Sequence, residues 1–309
     1  MILGSSSEKG FSPLRRKIFE NAEPFLFLLP FLVGVGIFTL YPVINVFLIS
    51  FKEKYSALRQ TYAGWGTENY REVFADPNFA NAMLNTVLYV LFVVPVSTAI
   101  AVIIANLLNS KIKGMAVFQI AYFMPMVTCV TAVGLVWRLM YNKQYGIINF
   151  FLGLFGVPKI GWVTESAYSL AALVIFGIWN ILPFTIILLL SGLQNIDENY
   201  YVAARVDSAS ASKIFFRITV PLLSPTIFLV CIVNTISAFK VFSELYPLFN
   251  GKPGPYNNLY TVVYYIRYAM MEKRQYGQAA AAAVVLFLCI LLFTLIQQSF
   301  KKWMGKRGL

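Results

Sequence analysis

Six long apolar runs occupy most of this 309-residue chain and leave few folds open to it. Hydrophobic residues make up 59% of the sequence and charged residues 12%, whereas a soluble domain carries roughly 25% charged residues. Each run exceeds the ~20 residues that an α-helix needs to cross a bilayer. The sequence therefore predicts an all-α integral membrane protein with six transmembrane helices. The predicted spans are residues 24–51, 81–108, 116–141, 168–193, 219–242 and 276–300.

The charged residues outside these runs predict which side of the membrane each connection faces. The N-terminal segment 1–23 carries Arg15, Arg16 and Lys17, and the tail 301–309 is also basic. Because Lys and Arg concentrate on the cytoplasmic side, both termini are expected inside the cell. The first run is too long for the ~7–15-residue core of a signal peptide, so it is predicted to stay as a span. Alternation of the spans then gives external loops at 52–80, 142–167 and 243–275.

The residue types used for metal binding and acid–base catalysis are scarce in this sequence. It contains no histidine, and Cys129, Cys231 and Cys289 each fall inside an apolar run. Scattered cysteines at membrane depth predict neither a disulfide framework nor a metal site, and the phosphate-binding pattern G-x-x-x-x-G-K-[ST] is missing. We therefore expect no catalytic residue, metal or cofactor in this chain. The net charge of +12 is explained by basic membrane flanks and does not indicate nucleic acid as a partner.

One moderately polar stretch, Asn195–Pro225, separates the fourth and fifth apolar runs and lies in the predicted cytoplasmic loop 194–218. It reads NIDENYYVAARVDSASASKIFFRITVPLLSP and predicts two short helices separated at Asp207-Ser208. Asn195, with Glu198 three residues later, is expected to cap the first helix, and Ser208 to cap the second. A short amphipathic helix pair between membrane spans indicates a surface for another protein.

This stretch resembles the cytoplasmic coupling loop of permease subunits from binding-protein-dependent ABC importers, whose pattern is roughly E-A-A-x-x-D-G-A and later I-x-L-P. Here it reads Val202-Ala203-Ala204-Arg205-Val206-Asp207-Ser208-Ala209, followed by Phe215, Ile218, Val220 and Pro221. Valine replaces the glutamate at 202, and serine replaces the turn glycine at 208. The resemblance implies that the loop docks on an ATPase subunit. The implied coupling residues are Tyr201, Val202, Ala203, Ala204, Arg205, Asp207, Ser208 and Ala209.

Shorter matches extend the resemblance from about residue 20 to the end of the chain. They are Asn85-Thr86, Phe123-Met124-Pro125, Trp179-Asn180, Phe239-Lys240-Val241-Phe242, Gly254-Pro255 and Tyr276-Gly277-Gln278-Ala279. Together they are similar to carbohydrate-uptake permeases of the maltose, glycerol-3-phosphate and multiple-sugar branch. The resemblance implies a type I importer permease fold in a bacterial plasma membrane. It also implies a second permease, two ATPase subunits that hold ATP and Mg²⁺, and an extracytoplasmic solute-binding protein as partners.

Polar and aromatic side chains at membrane depth indicate where a saccharide would bind. Polar groups are costly in lipid and tend to face the bundle interior or a cavity. Sugar sites combine aromatic faces with hydroxyl and amide groups. The aromatic candidates can also be explained by ordinary packing. The asparagines can also be explained by hydrogen bonds between helices. The candidates are Trp179, Asn180, Phe184, Asn234, Ser237, Phe239, Lys240 and Tyr276.

Lys240 bears on the charge of the substrate. It lies four residues before Glu244, and we expect the two to pair across one helical turn. A paired lysine favours a neutral saccharide, whereas an unpaired one would favour glycerol-3-phosphate or an acidic sugar. The alternative function is a secondary transporter or channel without an ATPase. The predicted spans contain no histidine and almost no acidic residue for a proton relay, which counts against that alternative.

Overall fold

A computed structural model of the chain describes residues 27–109 and 126–306, together with 117, 120, 123 and 124. The fold is helical, as the sequence predicts. A small antiparallel hairpin, β1 (Lys52–Glu53) with β2 (Gly64–Trp65), follows the first helix. The helices are α1 Phe27–Ser50, α2 Glu68–Ala75, α3 Pro77–Asn109, α4 Val130–Met140, α5 Ile147–Leu154, α6 Ser166–Gln194, α7 Glu198–Val206, α8 Ala211–Phe239, α9 Leu245–Phe249, α10 Val262–Met271 and α11 Tyr276–Lys306.

Five of the described helices, α1, α3, α6, α8 and α11, are long and apolar enough to cross a bilayer. They overlap the first, second, fourth, fifth and sixth predicted spans. The third predicted span, 116–141, lies partly outside the described residues, and within them it contains the 11-residue apolar helix α4. The predicted N-terminal segment 1–23 and the tail residues 307–309 also lie outside the described part of the chain.

Helices α3 and α6 form the centre of the bundle and approach each other closely. At Gly177 of α6, an added Cβ atom would lie 2.1 Å from the Tyr89 hydroxyl oxygen of α3. Tyr89 is itself buried, at 2% exposed surface. Glycine is therefore required here because the Tyr89 ring occupies the space of a larger side chain.

The buried side chains form two clusters at successive levels of the bundle. The first, which we name the aromatic cluster, joins the first halves of α3 and α6 to α9, α10 and α11. It includes Tyr89, Tyr141, Trp162, Phe176 and Phe239. The second, the aliphatic cluster, joins the later halves of α3 and α6 to α8. It includes Ala101, Ile186, Leu193, Leu223 and Val230. Because α7 follows α6 directly, it lies at the end of the bundle that holds the aliphatic cluster.

The segment 243–275, predicted as a loop, folds onto the aromatic end of the bundle through α9, α10 and buried polar bonds. Asn85 Nδ2 donates to the Asn258 and Tyr260 carbonyl oxygens at 2.9 and 3.0 Å. Thr86 Oγ1 accepts from the Val262 amide at 3.0 Å. These side chains of α3 satisfy backbone groups that have no helical partner, so the segment is held against the bundle.

Candidate coupling surface and translocation path

Helix α7 begins at a different cap from the one that the sequence predicts. The Asp197 carboxylate accepts a hydrogen bond from the Asn199 amide at 2.9 Å and caps the helix. Asn195 instead ends α6, where its side chain donates to the Ser191 carbonyl oxygen at 3.0 Å. The predicted cap at Asn195 is wrong because α6 continues to Gln194, which moves the start of α7 to Glu198.

Helix α7 ends in a turn of the Schellman type centred on Ser208, whose φ is +54°. The Ala209 amide donates to the Ala204 carbonyl oxygen, and the Ser208 amide donates to that of Arg205, both at 3.0 Å. This left-handed position is the one that glycine fills most readily. It therefore explains why the resembling pattern has glycine where this chain has serine.

The second helix of the loop starts at Ala211 and is capped by Ser210, whose Oγ accepts from the Lys213 amide at 3.4 Å. The predicted cap at Ser208 is wrong, because Ser208 closes the preceding turn. This helix is the first part of α8, which passes through a π-helical turn at Phe215–Thr219 and continues to Phe239 without a break. A displacement of the loop is thereby connected directly to a membrane-spanning helix.

The predicted coupling residues form a mostly exposed surface. Val202 and Val206 are 45% and 78% exposed, and Tyr200 beside them is 55% exposed. Of the eight predicted residues, Ala204 is buried and Tyr201 and Ala209 are half-buried; the exposed ones are Val202, Ala203, Arg205, Asp207 and Ser208. These residues thus form an exposed apolar patch of the kind at which proteins commonly dock.

Two hollows lie beneath α7. One, of about 460 Å³, is lined by residues that include Ala203, Ala204 and Asp207 of the α7 region and Lys213 and Arg217 beyond it. The other, of about 890 Å³, extends from Tyr201 and Arg205 to Asn106 of α3. Arg205 pairs with Glu198 at 4.0 Å. Both groups are well exposed, so the pair adds little stability. Helix α7 is thus bordered by open space and buries only Ala204.

The aromatic candidates for substrate binding are largely engaged in packing. Trp179 is half-buried, with its ring centroid 5.4 Å from that of Trp137 and 6.1 Å from that of Phe176. Phe239 is fully buried, edge-on to Phe293 at 5.0 Å. The packing interpretation therefore describes both residues in this conformation.

The polar candidates differ in whether their side chains are already hydrogen-bonded within the protein. Asn234 is buried and donates to Thr185 Oγ1 of α6 at 2.9 Å, which is the hydrogen bond between helices considered above. Asn180 is half-buried and makes no side-chain hydrogen bond to any described residue. Phe184 lies on the same face of α6 as Asn180 and is 40% exposed. Ser237 is exposed on α8.

The expected ion pair between Lys240 and Glu244 is wrong. Helix α8 ends at Phe239, so the two residues no longer lie on one helical turn. The Glu244 carboxylate instead accepts from the Phe242 amide at 3.2 Å, and burial raises the pKa of this carboxyl group. Lys240 is exposed and has no ion-pair partner among the described residues. The argument for a neutral sugar from a paired lysine therefore falls.

Tyr276 lies away from the other candidates, at the first residue of α11. Its neighbour Gln278 donates to the Glu72 carboxylate of α2 at 2.5 Å. Gly277 lies against the Asn69 side chain. A small polar cavity of about 250 Å³ joins this point to Lys54 beside the hairpin. The structure thus places Tyr276 at the surface of the aromatic end.

Sequence reasoning missed a set of polar contacts inside the bundle. The Gln297 side chain of α11 donates to Thr235 Oγ1 of α8 at 2.8 Å. Cys231 Sγ of α8 lies 3.9 Å from Thr98 Oγ1 of α3. The available signal was a glutamine pair inside an otherwise apolar run, but hydropathy does not say which helix such a side chain faces.

The chain is similar in sequence to permease subunits over most of its length. It is 31% identical to the trehalose/maltose transport system permease protein MalF of Thermococcus litoralis, over 88% of this chain and 91% of that protein. It is 31% identical to the arabinooligosaccharides transport system permease protein AraP of Bacillus subtilis, over 90% of this chain and 88% of that protein. It is 28% identical to the lactose transport system permease protein LacF of Rhizobium radiobacter, over 90% of this chain and 94% of that protein.

The fold also matches a solved importer. A chain from the crystal structure of a bacterial alginate ABC transporter in complex with alginate pentasaccharide-bound periplasmic protein superposes with a TM-score of 0.81. The superposition covers 96% of this chain and 99% of that chain at 19% identity. It supports the type I importer permease fold. The binding-protein-dependent transport system inner membrane component family matches residues 73–306. This integral membrane protein therefore belongs to the family of inner membrane components of binding-protein-dependent transport systems.

Proposed function

We propose that this chain is the transmembrane permease subunit of an ATP-driven importer for a sugar or oligosaccharide. Family membership supports a role in binding-protein-dependent transport. The substrate class rests on relatives named for trehalose/maltose, arabinooligosaccharides and lactose, each aligned over most of both chains. A second, similar permease completes the translocation path, and an extracytoplasmic binding protein delivers the substrate.

The observation that carries the coupling role is the exposed surface of α7. Val202, Val206 and Tyr200 present apolar area at the end of the bundle, and Arg205 and Asp207 lie beside them. ATP and Mg²⁺ bind to two separate ATPase subunits, one of which docks on this surface. Closure of the ATPase dimer moves α7, and the continuous helix α8 conveys that movement into the membrane. In this proposal, 194–218 and both termini lie in the cytoplasm.

Two of the candidate substrate residues have side chains that a substrate could contact. Asn180 offers an amide without a hydrogen-bond partner among the described residues, and Phe184 offers a 40% exposed ring one turn away. Ser237 and Lys240 form a second exposed pair near the end of α8. Because Lys240 has no ion-pair partner in the described part of the chain, glycerol-3-phosphate and acidic sugars remain candidate substrates beside neutral saccharides. A secondary transporter is the weaker alternative, since it would leave the exposed face of α7 without a partner.

Charge reversal in the loop tests the coupling role. In the assembled importer, Arg205→Glu with Asp207→Lys should lower uptake per ATP hydrolysed, because the polar rim of the docking surface is inverted while the fold is kept. The matched control reverses Lys143 and Glu165, a 2.7 Å ion pair at the predicted external side, and should leave coupling unchanged. Sugar uptake and ATP hydrolysis are measured in the same proteoliposomes. Normal coupling in the loop variant would contradict this docking surface.

A further inference from the structure

Polar side chains inside the bundle join four neighbouring helices at one level. One turn of α8 contacts α3, α6 and α11 through Cys231 with Thr98 at 3.9 Å, Asn234 with Thr185 at 2.9 Å and Thr235 with Gln297 at 2.8 Å. Thr98, Thr185, Asn234 and Thr235 are all buried. We name the set Thr98, Thr185, Cys231, Asn234, Thr235 and Gln297 the polar layer.

The polar layer separates the two apolar clusters. On α3, Thr98 lies between Val94 of the aromatic cluster and Ala101 of the aliphatic cluster. On α8, Asn234 and Thr235 lie between Val230 and Ala238, which belong to the aliphatic and the aromatic cluster respectively. Each cluster is close-packed within itself and resists internal deformation. The layer between them is therefore the level at which the bundle is divided into two packing units.

The layer lies in the cytoplasmic half of the second, fourth and sixth predicted spans. Thr98 precedes the end of α3 at Asn109 by 11 residues, and Thr185 precedes the end of α6 at Gln194 by nine. At 1.5 Å per residue these lengths are about 16 and 14 Å. On α11, Gln297 lies only four residues, or about 6 Å, before Lys301, so the layer is closer to the basic end of that helix. Polar groups at this depth are costly, and such residues commonly serve function.

Proline weakens two of the helices where they cross the layer. Pro95 precedes Thr98 by three residues in α3, and Pro183 precedes Thr185 by two in α6. Each proline lacks the amide that would bond the preceding turn, and its ring crowds that turn, so a helix bends most easily there. Helix α8 contains Pro225 and the π-helical turn Phe215–Thr219 on the cytoplasmic side of the layer.

One hydrogen-bond position in the layer is unfilled. Gln297 Oε1 is buried and accepts no hydrogen bond from any described residue, whereas Gln297 Nε2 donates to Thr235. If the amide is rotated so that its oxygen faces Thr235, the Nε2 group takes the unfilled place. Either orientation leaves a buried polar atom without a partner, which is unfavourable. The arrangement therefore has a spare bonding position for a second geometry of α8 against α11.

We infer that the polar layer is a hinge about which the cytoplasmic half of the bundle, joined to the coupling loop, tilts relative to the outer half. Asn234, Thr235 and Gln297 are positioning residues: they hold α8 against α6 and α11 at the layer while the aliphatic cluster tilts with the coupling loop. The two prolines let α3 and α6 bend at the same level. This inference rests on the proposed importer function, because it assigns the ATPase-driven movement to one half of the bundle.

Distances between spin labels test the hinge in the assembled importer. Exposed label sites are Leu84 and Leu288 beside the aromatic cluster, and Ile103 and Leu222 beside the aliphatic cluster. Trapping the ATPases with ATP, Mg²⁺ and vanadate should leave the 84–288 and 103–222 distances unchanged. The 84–222 and 103–288 distances, which join different helices on opposite sides of the layer, should change by a few ångströms, whereas a bend of α3 alters the 84–103 distance by less than about 1 Å. Unchanged 84–222 and 103–288 distances, with the bundle moving as one body, would overturn the hinge.

Substitutions in the layer test the positioning role. Thr235→Val removes the acceptor of the Gln297 bond and should lower uptake per ATP by roughly fivefold, within the range of measured coupling effects. Thr235→Ser keeps the hydroxyl and should restore it. The matched control is Thr294→Val on α11, because Thr294 bonds only its own helix, at the Ile290 carbonyl oxygen. Equal coupling in Thr235→Val and Thr294→Val, with assembly and thermal stability intact, would overturn the role.

The two tests separate this inference from the proposed function. If the substrate class is wrong, no saccharide is taken up by any variant, but the nucleotide-dependent distances and the ATPase activity are still measurable. If the importer is correct and the hinge is wrong, uptake proceeds and the distances show movement of a single rigid body.

Discussion

The aromatic and aliphatic ends of the bundle are held together in different ways. At the aromatic end, Asn85 and Thr86 of α3 bond the backbone of residues 258–262, and the connecting segment folds onto buried rings. At the aliphatic end, α7 projects above two hollows, and Val206 is 78% exposed. A region rich in buried contacts and satisfied backbone groups resists local opening, whereas a sparsely packed one is free to move. The difference teaches that one end is held as a frame, whereas the other is free to make the displacement that we propose for a partner.

Removal of an asparagine that bonds the backbone should give the largest difference in stability between the two ends. Asn85→Leu leaves two buried carbonyl oxygens without their donors and should cost about 2–4 kcal/mol in the free energy of unfolding. Asn106→Leu, in the hollow at the aliphatic end, should change it by no more than about 0.5 kcal/mol. Thermal unfolding in detergent measures both. A smaller loss for Asn85→Leu than for Asn106→Leu would invert the comparison.

Glycine substitutions sharpen the same contrast in packing. Gly177→Ala places a methyl group against the buried Tyr89 ring and should destabilise the protein by about 2 kcal/mol. Gly192→Ala, at the aliphatic end, meets the side-chain ends of Thr226 and Leu223 at 2.6 and 2.9 Å. Those groups can rotate, so about 1 kcal/mol is expected. Unfolding temperatures of the two variants provide the measurement, and equal losses would show that both ends are equally rigid.

The smallest expected effect is at the turn that ends α7. Ser208→Gly relieves a left-handed backbone at φ +54° and should stabilise the turn by about 1 kcal/mol. Uptake should stay near that of the wild type, because the loop keeps its shape. Slower hydrogen exchange at the Ala209 amide would show that the turn is more stable. Faster exchange there would show that the serine side chain supports the turn in another way.

The spanning helices were predictable from sequence, whereas the partners of individual side chains were not. An apolar run of 25 residues determines a helix by its length and composition alone, and five such predictions correspond to α1, α3, α6, α8 and α11. The separation of two helices at Asp207-Ser208 was also readable, because turn residues act locally. The two cap assignments in this loop failed by two residues each, since they depend on where the preceding element stops.

The candidate site was less predictable because it depends on tertiary contacts. Lys240 and Glu244 have helical spacing, but α8 ends before them, so the spacing misled. Phe239 and Phe184 look alike in sequence, although the first is fully buried and the second is 40% exposed. Gln297 and Thr235 are 62 residues apart, and no local pattern joins them. Such pairings arise only when the helices have packed.

Photo-crosslinking from the exposed face of α7 tests the central claim most directly. A benzoylphenylalanine in place of Val202, in the assembled importer, should crosslink to a nucleotide-hydrolysing subunit, with a yield that changes when ATP and Mg²⁺ are added. The matched control position is Tyr256, which is 92% exposed in the predicted external segment. It should form no such adduct. Crosslinking to that subunit from position 256, or none from position 202, would contradict the assignment of α7 as the coupling surface.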